Sequence, residues 1–343
     1  MIRQGVHTIV MKIPPFLEKD DTIGITAPSY SAVEANDGVR FSNAMKKLKE
    51  AGYNTFLTPD TFGYGEDDER APAWTRMKEL RSLFIDDRVK TIICAKGGEY
   101  EQEILDIFDW ESAEAHPKWV QGYSDNTFFL LKYTVEHDVA TIYGGNFGDF
   151  GMDDWHRSIS ENLSFLEGGL TEQRSFEYHE TEFHDRITQL EGFCDDEKTV
   201  WNSLSGDVRI KGRLLGGCMD VLAYFAENDS LDIKGFRARY PDDDIIWYME
   251  TYSMDDGSIR NMFSKMEENG WLKRVSGFIF GRELFYEGSD YVKTVTDCLS
   301  DYDVPIVFGA DVGHKAPRMV FVNGVPAEFD ISNGGCTVRY DLG

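Results

Sequence analysis

The sequence contains no long hydrophobic run and little cysteine. No stretch of it approaches the roughly 18 apolar residues that a membrane-spanning helix needs. The N-terminal residues, MIRQGVHTIVMKIPPF, lack the apolar core and the small-residue cleavage site of a signal peptide. The five cysteines are scattered without CxxC spacing, which argues against a disulfide framework and a zinc site. We therefore expect a cytoplasmic, metal-independent protein with no cofactor and no membrane partner.

Basic residues are also scarce. The chain has 35 Lys and Arg against 61 Asp and Glu, for a net charge of −26. Such a surface repels the phosphates of nucleic acids and of anionic membranes, so we expect no nucleic-acid partner. An anionic substrate would need a local basic pocket. With 343 residues, 41% of them hydrophobic, the chain is long enough for two domains with a core each.

Strand and helix patterns alternate along the first half of the chain. Strands are predicted at 22–27, 53–57, 91–95 and 119–123, and helices at 39–51, 73–84, 101–108 and 127–137. Strict alternation of this kind indicates a parallel sheet covered by helices. The first half therefore predicts an N-terminal parallel-sheet α/β domain, with bounds at residues 1–166.

The second half has a different organisation. Residues 167–200 are polar and aromatic-rich, and we interpret them as a linker and irregular connection. Strands are then predicted at 206–215, 244–250, 277–281 and 305–310, and helices at 217–226, 259–269 and 291–300. The end of the chain is typical of hairpins, with Asn323-Gly324 as a turn signal. The fold class predicted is thus α/β in two domains, the second (201–343) a mixed α/β domain with β-hairpins.

Two short segments follow predicted strands and could carry chemistry. Ser124, in Gly122-Tyr123-Ser124-Asp125, could expose its hydroxyl on a tight strand-to-helix turn, although the last glycine of GxSxG is absent. Alternatively, Ser124 simply caps the next helix. Gly97-Gly98 could bring a backbone N–H close to a developing negative charge, or could be an ordinary turn.

Two further residues stand at the ends of predicted strands. His314 follows the strand at 305–310, at the edge where open α/β sheets place ligands. Glu250 ends an apolar strand, so its carboxylate would emerge at the same edge. Each could instead be an ordinary polar residue of a loop or a strand end. None of the seven histidines pairs with another at metal-ligand spacing.

Taken together, these segments give the sequence a family resemblance. Ala95-Lys96-Gly97-Gly98, Gly122-Tyr123-Ser124-Asp125, Gly212-Arg213-Leu214-Leu215-Gly216-Gly217, Glu250 and Gly313-His314 follow one another in a characteristic order. Because its segments follow this order, the chain resembles the LD-carboxypeptidase family of serine peptidases, and the resemblance extends from about Asp21 to Phe329. That family includes murein tetrapeptide carboxypeptidases and microcin C immunity peptidases.

The resemblance implies a catalytic machinery and a dimer. Ser124 would be the nucleophile, His314 the base, and Glu250 the carboxylate that orients the imidazole. The N–H groups of Gly98 and Asp125 would form the oxyanion hole. A homodimer is implied by the resemblance alone.

The resemblance leaves the substrate open. The segment Lys96-Gly97-Gly98-Glu99-Tyr100 departs from the murein-type pattern, whereas Gly281-Arg282 and the stretch 199–202 look closer to the immunity branch. Trp201 could stack on a nucleobase there, or be a core or linker aromatic. Lys96 and Arg282, with Lys315 and Arg318, fall beside the predicted catalytic segments and could hold an anionic substrate.

The function expected first is therefore hydrolysis of a peptidyl- or aminoacyl-nucleotide amide of the microcin C type. The alternative is a murein tetrapeptide LD-carboxypeptidase. A non-catalytic binding protein on the same scaffold would need the three triad residues to lie too far apart to bond. A Rossmann nucleotide-binding enzyme is disfavoured because no GxGxxG follows the first strand.

Overall fold

The computed structural model describes residues 11–63 and 69–343. Up to residue 166 its strands are β1 (Thr22–Thr26), β2 (Asn54–Leu57), β3 (Val89–Cys94), β4 (Trp119–Gly122) and β5 (Thr141–Tyr143). The helices of this half are α1 (Ala35–Glu50), α2 (Ala73–Ile85), α3 (Gln102–Leu105), α4 (Trp110–Ala115), α5 (Thr127–His137) and α6 (Arg157–Leu166). Short 3-10 helices occupy Pro59–Phe62, Ser124–Asn126 and Phe147–Gly151.

The rest of the chain contains more strands than helices. The strands are β6 (Glu172–Arg174), β7 (Tyr178–His179), β8 (Glu197–Lys198), β9 (Asn202–Ser203), β10 (Val208–Cys218), β11 (Ile245–Glu250), β12 (Val275–Gly281), β13 (Ile306–Ala310), β14 (Phe321–Asn323), β15 (Pro326–Ser332) and β16 (Gly335–Tyr340). The helices are α7 (Met219–Asn228), α8 (Ile233–Arg239), α9 (Asp256–Glu268) and α10 (Tyr291–Cys298).

The first sheet is mostly parallel. Its order is β14-β5-β4-β3-β1-β2, and every neighbouring pair is parallel except β14 with β5. Helices α2 and α5 pack against its strands. The central strand β3 is buried along most of its length, as its apolar sequence predicts for a parallel strand covered on both faces.

The second sheet is mixed. Its order is β6-β16-β15-β10-β11-β12-β13-β9, with β10 to β13 parallel and antiparallel pairing at both ends. Strand β11 is completely buried, and its last residue is Glu250. The parallel strands β10, β11, β12 and β13 all point their carboxyl ends to one edge, and the polar side chains that follow them gather there.

Strand β14 and the end of strand β10 both connect the second half of the chain to the first sheet. Strand β14, from the end of the chain, pairs with β5 and so completes the first sheet. Strand β10 ends against the start of α5, where the N–H of Cys218 donates to Thr127 Oγ1 at 3.1 Å. The Thr127 hydroxyl in turn donates to the carbonyl of Ser124 at 2.6 Å. Gly217 permits this approach, because its φ is +152° and a Cβ there would lie 2.5 Å from Thr127 Cγ2.

The predicted α/β class, with a parallel first sheet and a mixed second sheet carrying hairpins, is confirmed. Some elements differ from prediction. The helix expected at 101–108 is α3 alone, followed by α4, and the stretch 167–200 contributes β6, β7 and β8 to sheets. The domain bounds at 166 and 200 remain predictions.

Within residues 11–63 and 69–343, no helix is long and apolar enough to cross a membrane. The N-terminal segment in which we expect no signal peptide lies, up to residue 10, outside the described residues.

Candidate active site

Ser124 lies on a strained turn between β4 and α5. Its φ is +65°, in the left-handed region that residues other than glycine seldom occupy. The turn is packed tightly, since Gly97 comes so close that a Cβ on it would lie 2.9 Å from Ser124 Cβ. A strained, partly exposed serine between a strand and a helix is the geometry of a nucleophile elbow.

Ser124, His314 and Glu250 form a continuous hydrogen-bonded chain. His314 Nε2 lies 3.0 Å from Ser124 Oγ, and His314 Nδ1 lies 2.8 Å from Glu250 Oε2. Ser124 comes from the first sheet, whereas Glu250 ends β11 and His314 follows β13 in the second. A non-catalytic binding protein would need these three residues to lie too far apart to bond, and they do not.

Glu250 is a fully buried carboxylate with a partner on each oxygen. Its Oε2 faces His314, and its Oε1 accepts a hydrogen bond from the Tyr143 hydroxyl. Burial acts to raise the pKa of Glu250, but the His314 ring, the Tyr143 hydroxyl and the Arg318 charge outweigh it and hold the pKa below its usual value. Glu250 therefore stays ionised beside the imidazole.

The loop that carries His314 is held by Arg318. Arg318 Nη2 donates to the His314 carbonyl at 3.0 Å, and Nη1 pairs with Asp149 at 3.0 Å. The His314 ring itself packs against Tyr252 and Tyr123, at centroid distances of 4.7 and 5.1 Å. The imidazole thus has little freedom to rotate away from Ser124.

Hydrogen bonds to the Asp125 side chain hold the loop that contains Gly98. The Asp125 carboxylate accepts from the N–H groups of Tyr100 and Glu101, both at 2.9 Å, and from the Ser29 hydroxyl. Gly98 has a φ of +155°, and a Cβ there would overlap Ser29 Oγ. Only glycine fits at this position, and the Asp125 carboxylate holds the loop beside Ser124.

A cavity of about 560 Å³ opens above Ser124 and His314. Its wall is rich in aromatic side chains, and it carries acidic groups and one lysine. The aromatic residues are Tyr30, Tyr123, Phe128, Phe183, Tyr224 and Tyr252, and the charged ones are Lys96, Glu99, Asp125 and Asp220. In the described part of the chain, no three His, Cys, Asp or Glu side chains are grouped as metal ligands.

Comparisons with known proteins agree with this architecture. The family model described as the LD-carboxypeptidase N-terminal domain matches residues 23–144, and the one for the C-terminal domain matches residues 211–329. The chain belongs to the LD-carboxypeptidase family.

Members of the family with different names resemble this chain to similar degrees. A probable murein peptide carboxypeptidase of Bacillus subtilis is 25% identical, over 94% of this chain and 93% of its own. The microcin C7 self-immunity protein MccF of Escherichia coli is 23% identical, over 93% of each chain. A solved structure of MccF in complex with aspartyl sulfamoyl adenosine superimposes with a TM-score of 0.75 at 19% identity, covering 96% of this chain and 98% of that one.

Two residues that we expected at the substrate are buried and do not line the cavity. Trp201 is 1% exposed, and its indole N–H donates to Asp311 Oδ2 at 3.0 Å, so it cannot stack on a substrate. Arg282 is buried and pairs with Asp311 Oδ1 at 3.0 Å while bonding the Lys315 carbonyl. Both side chains are used to brace the loop before His314, which is why they are not free for a ligand.

Lys96 lines the cavity, as expected of a substrate-binding residue, but its charge is already balanced. Its ammonium group lies 3.0 Å from Asp37 and 3.6 Å from Glu34. Lys315 and Arg318 do not line the cavity. The basic cluster inferred from the sequence is therefore reduced to one paired lysine.

Tyr143, Phe183 and Tyr252 are among the residues of the site that the sequence did not reveal. Tyr143 contacts both Ser124 and Glu250, yet it stands in a three-residue strand with no motif to distinguish it. Phe183 lies in the stretch that we interpreted as a linker. Tyr252 follows Glu250 by two residues, and that proximity was the one signal that could have identified it.

Proposed function

We propose that this protein is a serine-type carboxypeptidase that cleaves an amide bond with Ser124, His314 and Glu250. The observation that carries the proposal is the hydrogen-bonded chain of these three side chains at the floor of an open cavity. A serine hydroxyl is a weak nucleophile by itself and needs an adjacent base held in the correct tautomer.

Each group has a defined step in this mechanism. His314 Nε2 takes the Ser124 proton as Oγ attacks the scissile carbonyl, and the imidazolium is stabilised by ionised Glu250. The same proton then passes to the leaving amine, and water hydrolyses the acyl-enzyme with His314 again acting as base. The Ser124 N–H is bonded to Tyr143, so the oxyanion is assigned to the N–H groups of Gly98 and Asp125.

For the substrate we propose the amide of a peptidyl- or aminoacyl-nucleotide, as in the MccF-like branch. Two aromatic side chains at the cavity support this choice, Phe183 with 51% of its surface exposed and Tyr252 with 38%. Exposed aromatic rings at a ligand cavity are suited to stacking on a base. The MccF structure with aspartyl sulfamoyl adenosine has the same fold.

One observation favours a second candidate, a murein peptide. The cavity contains Glu99 and Asp220, and its single lysine is paired with two carboxylates. These charges would repel a phosphate and attract a peptide that carries a free amino group. The Bacillus subtilis relative named as a murein peptide carboxypeptidase is about as similar to this chain as MccF is.

The test is a side-by-side hydrolysis assay on an aminoacyl sulfamoyl adenosine and a murein tetrapeptide. Ser124→Ala should lower kcat by several orders of magnitude on the preferred substrate and leave the fold intact, because triad members act as a unit. Ser160→Ala, on the exposed face of α6, is the matched control and should be fully active. Full activity of folded Ser124→Ala would refute the serine mechanism, and preference for the tetrapeptide would overturn the nucleotide substrate.

A further inference from the structure

Tyr143 joins the two sheets at the site. It ends β5 in the first sheet, is 1% exposed, and reaches Glu250 at the end of β11 in the second. Its hydroxyl donates to Glu250 Oε1 and accepts the N–H of Ser124 at 3.1 Å. One oxygen atom therefore contacts both the turn of the nucleophile and the carboxylate of the triad.

We propose that Tyr143 is a positioning residue that fixes Glu250 and the Ser124 turn relative to each other. The inference rests on the proposed function. With His314 on Oε2 and Tyr143 on Oε1, the Glu250 carboxylate has a partner on each oxygen and cannot rotate. The bond from Ser124 N–H holds the turn in its strained conformation at φ +65°.

The surroundings of Tyr143 require its hydroxyl as well as its ring. Burial and the neighbouring Glu250 charge raise the pKa of Tyr143 well above its ordinary value, so the hydroxyl stays protonated and remains a donor. A phenylalanine would keep the ring contacts with Tyr248 and Tyr123 but would leave a buried N–H and a carboxylate oxygen without this partner.

The donated hydrogen bond also sets the basicity of the triad. His314 and Tyr143 bond the Glu250 carboxylate directly, and the other titratable groups near enough to feel its charge are Arg318, Cys218, Tyr123, Tyr248 and Tyr291. Without the Tyr143 bond, more negative charge rests on Oε2 beside the imidazole. This stabilises the imidazolium, so a higher pH is needed to obtain the neutral base.

The test compares Tyr143→Phe with wild type across pH. We expect kcat about 10- to 100-fold lower, the range for one hydrogen bond to a charged group, with KM nearly unchanged. The acid limb of the kcat/KM profile should move to higher pH. Tyr133→Phe is the matched control, since it removes a buried hydroxyl that bonds the Ala113 carbonyl, away from the cavity. Tyr133→Phe should lower the melting temperature and leave the acid limb of the kcat/KM profile where it is in wild type.

Two further measurements keep the result unambiguous. If Tyr143→Phe does not fold, 3-fluorotyrosine at position 143 keeps the packing and strengthens the donor, and the acid limb should then move to lower pH. A fluorophosphonate probe separates the two proposals. Wild type that neither hydrolyses substrate nor is labelled at Ser124 refutes the proposed function. Labelled, active wild type with an unchanged pH profile in both Tyr143 variants overturns the role of Tyr143 alone.

Discussion

Two aromatic residues of the same half of the chain have opposite environments. The Trp201 ring is buried against Phe329 and donates its N–H to Asp311, whereas Phe183 is half exposed at the cavity and touches Phe285. The first is positioned to stabilise the fold and the second to meet a ligand. Substitution of Trp201 should therefore change stability, and substitution of Phe183 should change substrate binding.

We predict that Trp201→Ala and Phe183→Ala affect different measurements. Trp201→Ala should lower the free energy of unfolding by about 3–5 kcal/mol, the usual cost of truncating a buried large aromatic. Phe183→Ala should leave the melting temperature unchanged. It should raise KM for the nucleotide substrate, because about 1–3 kcal/mol of stacking free energy is lost. Thermal denaturation and steady-state kinetics check both. An unchanged KM in Phe183→Ala would exclude it from the substrate contact.

At the scale of elements, the contact between β10 and α5 lies directly beside the Ser124 turn. Gly217 lies against Thr127, whose hydroxyl bonds both the Cys218 N–H and the Ser124 carbonyl. The contact has no room for a side chain. The second sheet therefore supports the turn of the first through three adjoining residues.

We predict that Gly217→Ala lowers both stability and kcat. The added Cβ would meet Thr127 Cγ2 at 2.5 Å and would occupy a φ of +152°, a strain of about 1–3 kcal/mol before any displacement of the turn. Gly38→Ala, within α1 and with no atom within 4 Å of the new Cβ, is the matched control and should gain about 0.5–1 kcal/mol. Chemical denaturation and kcat measure the two effects. Wild-type kcat in Gly217→Ala would show that the contact does not position Ser124.

The elements that sequence patterns predicted well are the long and strongly periodic ones. Helix α5 was predicted with its observed bounds, and β11 within one residue. The two-residue strands β7 and β8 were missed because they are too short to show a period, and α6 was not identified. At the site, Ser124, His314 and Glu250 are brought together as expected. Trp201 was misassigned because exposure of an aromatic depends on tertiary packing that a single sequence does not display.

For the molecule as a whole, one buried acid couples folding to pH. Glu101 is fully buried, accepts one N–H from Phe129, and lies beside Asp125. Burial and the Asp125 charge raise the pKa of Glu101 well above its usual value. The folded chain therefore holds a proton on Glu101 that the unfolded chain releases above its pKa of about 4.3.

We predict that this proton makes the protein less stable as the pH rises. Because Glu101 holds its proton more tightly in the folded state than in the unfolded one, the stability that this proton contributes is complete below about pH 4.3 and falls by up to about 1.4 kcal/mol per pH unit toward the folded pKa. Glu101→Gln keeps a neutral side chain and should lose this slope. Melting temperatures of both proteins, measured from about pH 5 to about pH 8, check it. Parallel curves would show that Glu101 does not take up the proton.

Strand β14 links the two halves of the chain. It belongs to the second half in sequence, yet it pairs with β5, and Phe321 lies opposite Tyr143 in the register. A cut between the two family matches would leave the first half with an open strand edge at β5 and the second half with an unpaired strand. Neither half would be a self-contained folding unit. Ser124 beside the first sheet and His314 beside the second would then reach their observed hydrogen bond only after β14 has joined β5.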